Sequence, residues 1–324
     1  MSKKLIAVVG ATGAQGGAVV RAILADRFGE YAVRALTRNP DTPKAQELAA
    51  SGAEVVAADL DDEASVRSAF DGAYGAYVVT NYWAPLTPEQ EAARTRAEME
   101  LDQAETAARA ARDAGVQHLV WSTLEDTRLF FAGRDDVPSL DDGRYKVPHF
   151  DAKGEADALF TKYGVPTTFL RTTFYFDAFL HAMPPTRTTD GQLTITFPMG
   201  DRRLSGVASE DIGRSAFAIL KRPDLIGATI SIAGDHLTGT QYAEALSEAL
   251  GEKVMYHAPA VEEYREYPFP MAVEMANMFQ FYAENHDEFT GARDLAKVRE
   301  LNPELESFAT WLEHHRAELA ASLS

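Results

Sequence analysis

Residues 5–24 read Leu-Ile-Ala-Val-Val-Gly-Ala-Thr-Gly-Ala-Gln-Gly-Gly-Ala-Val-Val-Arg-Ala-Ile-Leu, and they constrain the fold more than any other stretch of the chain. The apolar run from Leu5 to Val9 predicts a buried strand. Gly10, Gly13 and Gly16 follow at once with G-x-x-G-x-x-G spacing, and Val19, Val20, Ile23 and Leu24 then recur at helical intervals. A strand, a tight glycine turn and a helix in direct succession make a site for a dinucleotide pyrophosphate. Glycine allows close backbone approach and backbone angles that a Cβ forbids. The helix start offers N–H groups at the positive end of its dipole. Thr12, Ala14 and Gln15 lie between the glycines and join them as candidate cofactor contacts.

The pattern then alternates. Strands are expected over 31–37, 54–58, 74–80, 118–122 and 167–171, and helices over 43–50, 63–70, 149–163 and, as one long element, 88–114. A loop rich in Asp, Gly and Pro is expected over 126–148. This βαβα rhythm specifies an α/β fold, a Rossmann-like doubly wound parallel sheet. Past Arg171 the rhythm changes to a hairpin-like stretch with Gly191 and Gly200 near its ends. A helix over 209–221 follows with Ser209 as its N-cap, then a last core strand over 228–232 and a helix over 240–250. The final helix is expected to open at Asn302-Pro303, with Phe308, Trp311, Leu312, His315 and Leu319 as its apolar stripe. The expected organisation is a nucleotide-binding core of residues 1–172, completed by about 209–234 and the helix 302–322. A smaller α+β lobe of 173–208 and 235–300 is expected to cover the cofactor cleft.

Composition excludes more than it specifies. The 324 residues carry 31 Lys and Arg against 49 Asp and Glu, a formal charge of −18. Such a chain repels phosphate backbones, so direct nucleic-acid binding is not expected. The absence of cysteine removes disulfides, thiolate metal sites and a cysteine nucleophile. The first apolar run is too short for a signal segment, and no stretch approaches the ~18 apolar residues of a membrane span, so a cytoplasmic location is expected. No H-E-x-x-H, metal-ligand spacing or G-x-S-x-G elbow appears, and no metal is expected.

Which dinucleotide is bound turns on the end of the second strand. NAD-selective sites place an acid there, on the ribose 2′-hydroxyl. This chain has Arg34-Ala-Leu-Thr-Arg-Asn39 and no acid. The Arg38 fork suits a 2′-phosphate, so NADP(H) is preferred and NAD(H) remains possible. Thr37 and Asn39 can add hydrogen bonds. Asp59 and Leu60 follow the third strand, where an adenine would rest, and Asp59 reads equally well as a helix-capping acid.

Gly-Ala-Thr-Gly-Ala-Gln-Gly at 10–16, Thr-Arg-Asn-Pro at 37–40, Val-Thr-Asn-Tyr-Trp at 79–83, Ser-Thr-Leu-Glu at 122–125 and His-Phe-Asp-Ala-Lys-Gly-Glu at 149–155 together resemble the NmrA-like branch of the atypical short-chain dehydrogenase/reductases, and within it the redox-sensor type. The likeness runs over nearly the whole chain. It implies a Rossmann core, bound NADP(H), and cofactor contacts from Thr80, Asn81, Tyr82, Lys153 and Tyr175. The long acidic loop after Leu124 departs from the family pattern.

Ordinary members of that superfamily carry Tyr-x-x-x-Lys on the helix beginning near residue 149, where four-residue spacing puts both side chains on one face. Here the first position is His149, and Tyr145 lies in the preceding loop. The catalytic candidates are therefore Lys153 for the nicotinamide ribose, Ser122 or Thr123 to polarise a substrate oxygen, and His149 as a proton donor near neutral pH or as a plain helix-start residue. Tyr82, Trp83, Phe130, Phe131, Phe174, Tyr175, Phe176 and Phe179 can line a flat pocket for a quinone or polycyclic ring, or form ordinary core. Two functions remain. One is an NAD(P)H-dependent reductase of a small aromatic or quinone-like acceptor. The other is a non-catalytic NADP(H) sensor acting through a regulatory protein partner. Neither involves a membrane.

Overall fold

A computed structural model describes residues 3–323. In chain order the first elements are β1 (Lys4–Val8), α1 (Ala14–Leu24), β2 (Tyr31–Thr37), α2 (Pro43–Ala50), β3 (Glu54–Ala57), α3 (Glu63–Phe70), β4 (Gly75–Val78), α4 (Pro88–Ala93), α5 (Arg96–Asp113), β5 (His118–Thr123), α6 (Thr127–Phe130), α7 (Pro148–Lys162) and β6 (Thr167–Arg171). They are followed by β7 (Phe174–Tyr175), β8 (Thr186–Arg187), β9 (Leu193–Thr196), β10 (Arg203–Val207), α8 (Ser209–Leu220), β11 (Thr229–Ser231), β12 (Asp235–Thr238), α9 (Gly239–Leu250) and β13 (Val254–His257). The chain ends with α10 (Val261–Arg265), α11 (Ala272–Glu284), α12 (His286–Gly291), α13 (Leu295–Leu301) and α14 (Phe308–Ser322).

The chain divides into two compact units. The first holds the residues up to Asp126, Pro148–Arg171 and Ile212–Ile230. Its seven-stranded sheet has the order β11-β6-β5-β4-β1-β2-β3. Every pairing from β3 across to β6 is parallel. Strand order reverses between β1 and β4, and ligands of such sheets bind beyond the strand ends at this switch point. Ile6, Ala7 and Val8 are fully buried, as expected of a strand covered on both faces. The Ala-rich face of α5 (Ala97, Ala104, Ala107, Ala108, Ala111) is also fully buried, and small side chains let α5 lie close to α7. α8 meets α1 more closely still: a Cβ on Gly213 would stand 2.3 Å from the carbonyl carbon of Ala18.

The second unit holds Thr127–Val147, Thr172–Asp211 and the residues from Ser231 onward. It has two three-stranded sheets, β12-β10-β7 and β13-β9-β8. Its core is aromatic. Phe176 packs on Phe308 at 5.0 Å between ring centres, and Phe308 stacks on Trp311.

Several expectations are corrected. The terminal helix belongs to the second unit, where Trp311 and Phe308 pack on Phe176, and not to the nucleotide-binding core. That helix opens at Ser307, whose hydroxyl accepts from the Thr310 N–H. Asn302 instead ends α13 and donates to Asp211 at 2.7 Å. The expected 88–114 helix is two helices, broken where Thr95 starts a second capping box with Glu98. The 126–148 loop contains α6 and an antiparallel bridge between Leu140 and Tyr145. Ser209 is the first residue of α8, and its backbone N–H donates to Asp177.

Alanine ordinarily stabilises a helix interior over glycine by about 1 kcal/mol. At Gly213 the clash with Ala18 reverses that sign. Gly213→Ala is expected to lower the urea midpoint by the equivalent of about 2 kcal/mol or more, whereas Gly291→Ala, with nothing within 4 Å, leaves it unchanged or raised.

Candidate functional site

The turn from β1 into α1 is built from contacts that only glycine permits. Gly10 has φ +67°, and its carbonyl accepts the Gly13 N–H at 2.9 Å. A Cβ on Gly16 would fall 2.3 Å from that same carbonyl oxygen. Thr42, Asp62, Thr87 and Thr95 cap α2 to α5 with their side chains. α1 has Gly13 at its N-cap, no side-chain cap and no acid in its first turn. Its amide end is thereby presented to an anion. Thr12 is half-buried there and Ala14 is exposed. The Gln15 side-chain oxygen accepts from the Tyr77 hydroxyl and, at 2.7 Å, from the Ser122 hydroxyl.

The turn is tied to β2 by the Ala11 N–H, which donates to the Leu36 carbonyl at 3.2 Å. Arg38 follows the end of β2. It is exposed, with no hydrogen bond or ion pair among the described residues. Thr37 and Asn39 are used locally: the Asn39 N–H meets the Thr37 hydroxyl at 3.4 Å, and the Asn39 side chain accepts the Asp41 N–H at 2.9 Å. Asp59 folds its own turn by accepting the Asp61 N–H, while its backbone is gripped by Ser65. The helix-capping acid is Asp62, not Asp59. Leu60 packs half-buried against the core.

Beyond β4 lies a second cluster. A Cβ on Gly10 would meet Val79 at 3.2 Å, so the exit of β4 runs beside the glycine turn. The Lys153 ammonium donates to the Thr80 hydroxyl at 2.7 Å and the Thr80 carbonyl at 3.1 Å. Its third partner is the Glu100 carboxylate at 2.9 Å. Glu100 is only 1% exposed and sits among the alanines of α5. One turn before it, Arg96 donates to the Tyr82 and Ala84 carbonyls, each at 2.8 Å. The Asn81 side chain accepts the Trp83 N–H. Glu100 and Arg96 thus organise Lys153 and the 80–84 backbone, and sequence reasoning missed both. Glu100 had a signal, because it falls in register with the buried alanine stripe.

Other candidates are placed differently from expectation. Thr123 is fully buried, its hydroxyl within hydrogen-bond reach of the Lys153 and Leu124 carbonyls and the Asp157 carboxyl, so it is committed to the protein's interior. Ser122 is buried and turned to Gln15. The His149 ring packs against Tyr82 and Trp83, at 5.9 and 4.9 Å. Tyr145 is buried in the second unit, flanked by the Arg128 and Arg144 guanidiniums. Tyr175 is also in the second unit, its hydroxyl 3.4 Å from that of Thr172. Of the aromatic residues expected to line a pocket, Phe131, Phe174, Phe176 and Phe179 are buried core. Asp157, which sequence reasoning did not single out, accepts from the Trp121 indole at 2.9 Å. Burial pushes its carboxyl up to about 6, against hydrogen bonds from Thr123 and Trp121 and the Arg171 charge.

The fold and this turn are those of a Rossmann-type protein with a short-chain dehydrogenase/reductase-like architecture. The NmrA-like family profile matches residues 2–312, and the chain belongs to that family. It is 29% identical over 295 residues to the NmrA-like family domain-containing oxidoreductase cpsB of Aspergillus campestris, covering 86% of this chain and 83% of that protein. It is 31% identical over 261 residues to the oxidoreductase malD of Malbranchea aurantiaca, covering 78% and 75%. Among solved structures, the negative transcriptional regulator NmrA in complex with NADP superposes with a TM-score of 0.74 over 96% of this chain and 95% of that one, at 22% identity. The NADPH-dependent quinone oxidoreductase QOR2 of Escherichia coli, complexed with NADPH, gives 0.70 over 96% and 98%, also at 22%. Among the described residues no helix is long and apolar enough to cross a membrane.

Removing one partner of a buried ion pair strands the other charge, at a cost of about 3 kcal/mol or more. Glu100→Gln and Lys153→Met are each expected to lose that much in urea unfolding, and the Glu100→Leu, Lys153→Met double variant to recover most of it. For Asp157, the folded state favours the protonated carboxyl, so its contribution to stability is full below the unfolded value of 3.8 and is lost as pH rises through about 6. Asp157→Asn should flatten the fall in urea midpoint between about pH 4 and pH 6. Parallel profiles for the two proteins would refute this assignment.

Proposed function

We propose that this protein binds NADP(H) at the glycine turn and reduces a flat, quinone-like acceptor without the tyrosine acid of ordinary short-chain reductases. One observation carries the coenzyme choice: the exposed guanidinium of Arg38 lacks any partner within the described chain, just past β2, and no acid lies between Arg34 and Asn39. A planar fork of that kind pairs with a terminal phosphate on the ribose. The glycine turn, so tight that backbone atoms leave no room for a Cβ at position 16, sets the uncapped start of α1 where a pyrophosphate would dock. Complexes of NmrA with NAD and with NADP, and of QOR2 with NADPH, support the reading.

A bound reduced nicotinamide supplies a hydride, and the second proton of a quinol product comes from solvent. The protein's own part is positional. α1 and Arg38 hold the two phosphate ends. Asp59 and Leu60 form the adenine wall, and Thr37 and Asn39 hold the turn that aims Arg38. Lys153, held by Glu100, fixes the Thr80 end of the loop that carries Tyr82 and Trp83. Asn81 orders the same loop. A quinol oxyanion is delocalised, so no dedicated acid is required.

A sensor acting through a protein partner is the second reading. It is favoured by the Lys153 ammonium, whose N–H groups are already met by Thr80 and Glu100. NADPH oxidation against a panel of quinones separates the two. Turnover supports the reductase; tight NADP(H) binding with no turnover on any acceptor supports the sensor. Arg38→Asp is expected to raise the NADPH dissociation constant roughly 10- to 100-fold and to change NADH binding far less. Equal losses for both coenzymes would reject Arg38 as the phosphate ligand.

A further inference from the structure

Most large aromatic side chains of the first unit are buried, including Trp121, Tyr77, Phe70 and Phe160. Trp83 and Phe28 are exposed, at 46% and 86%. Phe28 lies in the turn that leads into β2, at the amino ends of the strands. Trp83 lies past β4, at the carboxyl ends, on the loop that begins with Val79 against Gly10. An isolated exposed aromatic needs no explanation. What sets Trp83 apart is how firmly it is held. Its N–H is taken by the Asn81 side chain at 3.1 Å. The carbonyls on either side of it, at Tyr82 and Ala84, are gripped by Arg96. Its ring meets Tyr82 edge-on at 4.9 Å and rests on His149 at 4.9 Å.

α7 supports this loop with two side chains one turn apart. Lys153 holds Thr80, and His149 backs Trp83. We infer that Trp83 is the stacking platform for the acceptor, and that His149 is a positioning residue that backs it. The preferred ligand class is a planar aromatic or quinoid ring. Holding the ring in advance removes an ordering cost that a mobile side chain would incur on binding. The inference rests on the reductase reading for its acceptor, but the binding surface is testable without turnover.

Trp121 and Trp311 are buried, at 0% and 1% exposure, so quenching of exposed tryptophan emission reports chiefly on Trp83. The protein saturated with NADP+, which allows no reduction, is titrated with menadione. Saturable quenching is expected, and it should vanish in Trp83→Phe. In steady-state assays Trp83→Ala should raise the menadione KM roughly three- to tenfold with little change in kcat. Trp83→Phe, which restores a ring, should return the KM towards its starting value. His149→Ala should raise the KM as well, and His149→Phe, a ring with no titratable nitrogen, should rescue it. A kcat that collapses in His149→Phe while the KM holds would make His149 a proton donor and overturn its assignment as a positioning residue. No saturable quenching in the native protein, or quenching that survives in Trp83→Phe, would overturn the platform. Saturable quenching by Trp83 without any turnover would keep the platform and discard the reductase.

Discussion

The first unit depends on one close approach, the α-carbon of Gly16 against the carbonyl of Gly10. It lets the chain leave β1, turn, and enter α1 within a few residues, so that the helix start points back over the strand ends. A side chain at position 16 has nowhere to go, because backbone atoms fill the space. From this contact follows the rest of the cradle: the left-handed Gly10, the exit of β4 alongside it, and Gln15 turned to Tyr77 and Ser122. Packing of this kind is intolerant of even one methyl group.

The second determinant is polar and buried. Placing Glu100 and Lys153 together out of water contributes little net stability, and apolar residues of similar size would often serve the fold as well. Its value is geometric. The pair anchors the end of β4 to α7 and α5 at once, and Arg96 extends the same helix's hold to Tyr82 and Ala84. Three elements far apart in sequence are thereby fixed against one short loop. His149, one turn before Lys153 on α7, has its ring beside those of Tyr82, Trp83 and Phe150.

Much of the first unit was legible because its signals are local. β2, α2, α3 and β6 occupy the expected spans, each set by its own apolar period and punctuation. The break between α4 and α5 was legible too, since Thr87 with Gln90 and Thr95 with Glu98 are two capping boxes in a row; the long Ala/Glu/Arg composition masked them. What sequence could not supply were partners distant along the chain. Asn302 looks like a helix cap beside a proline, yet its amide is committed to Asp211. Asp157 reads as a surface acid until Trp121 and Thr123 are folded onto it. The aromatic residues after β6 resembled a pocket lining, but most of them are the interior of the second unit. An apolar cluster in sequence does not say whether its faces meet each other or a ligand.

The uncapped start of α1 has a thermodynamic corollary. Its neighbours meet their first amides with Thr or Asp side chains, whereas α1 has glycine at its N-cap and no side-chain cap. An anion that docks there completes a helix that the polypeptide leaves unfinished, so occupancy and folding become one linked equilibrium. At a hundredfold excess over its dissociation constant such a ligand adds about 2.7 kcal/mol to the unfolding free energy. Resistance to heat and to proteases would then rise with the logarithm of coenzyme concentration, making the lifetime of the protein itself a readout of the pool it samples.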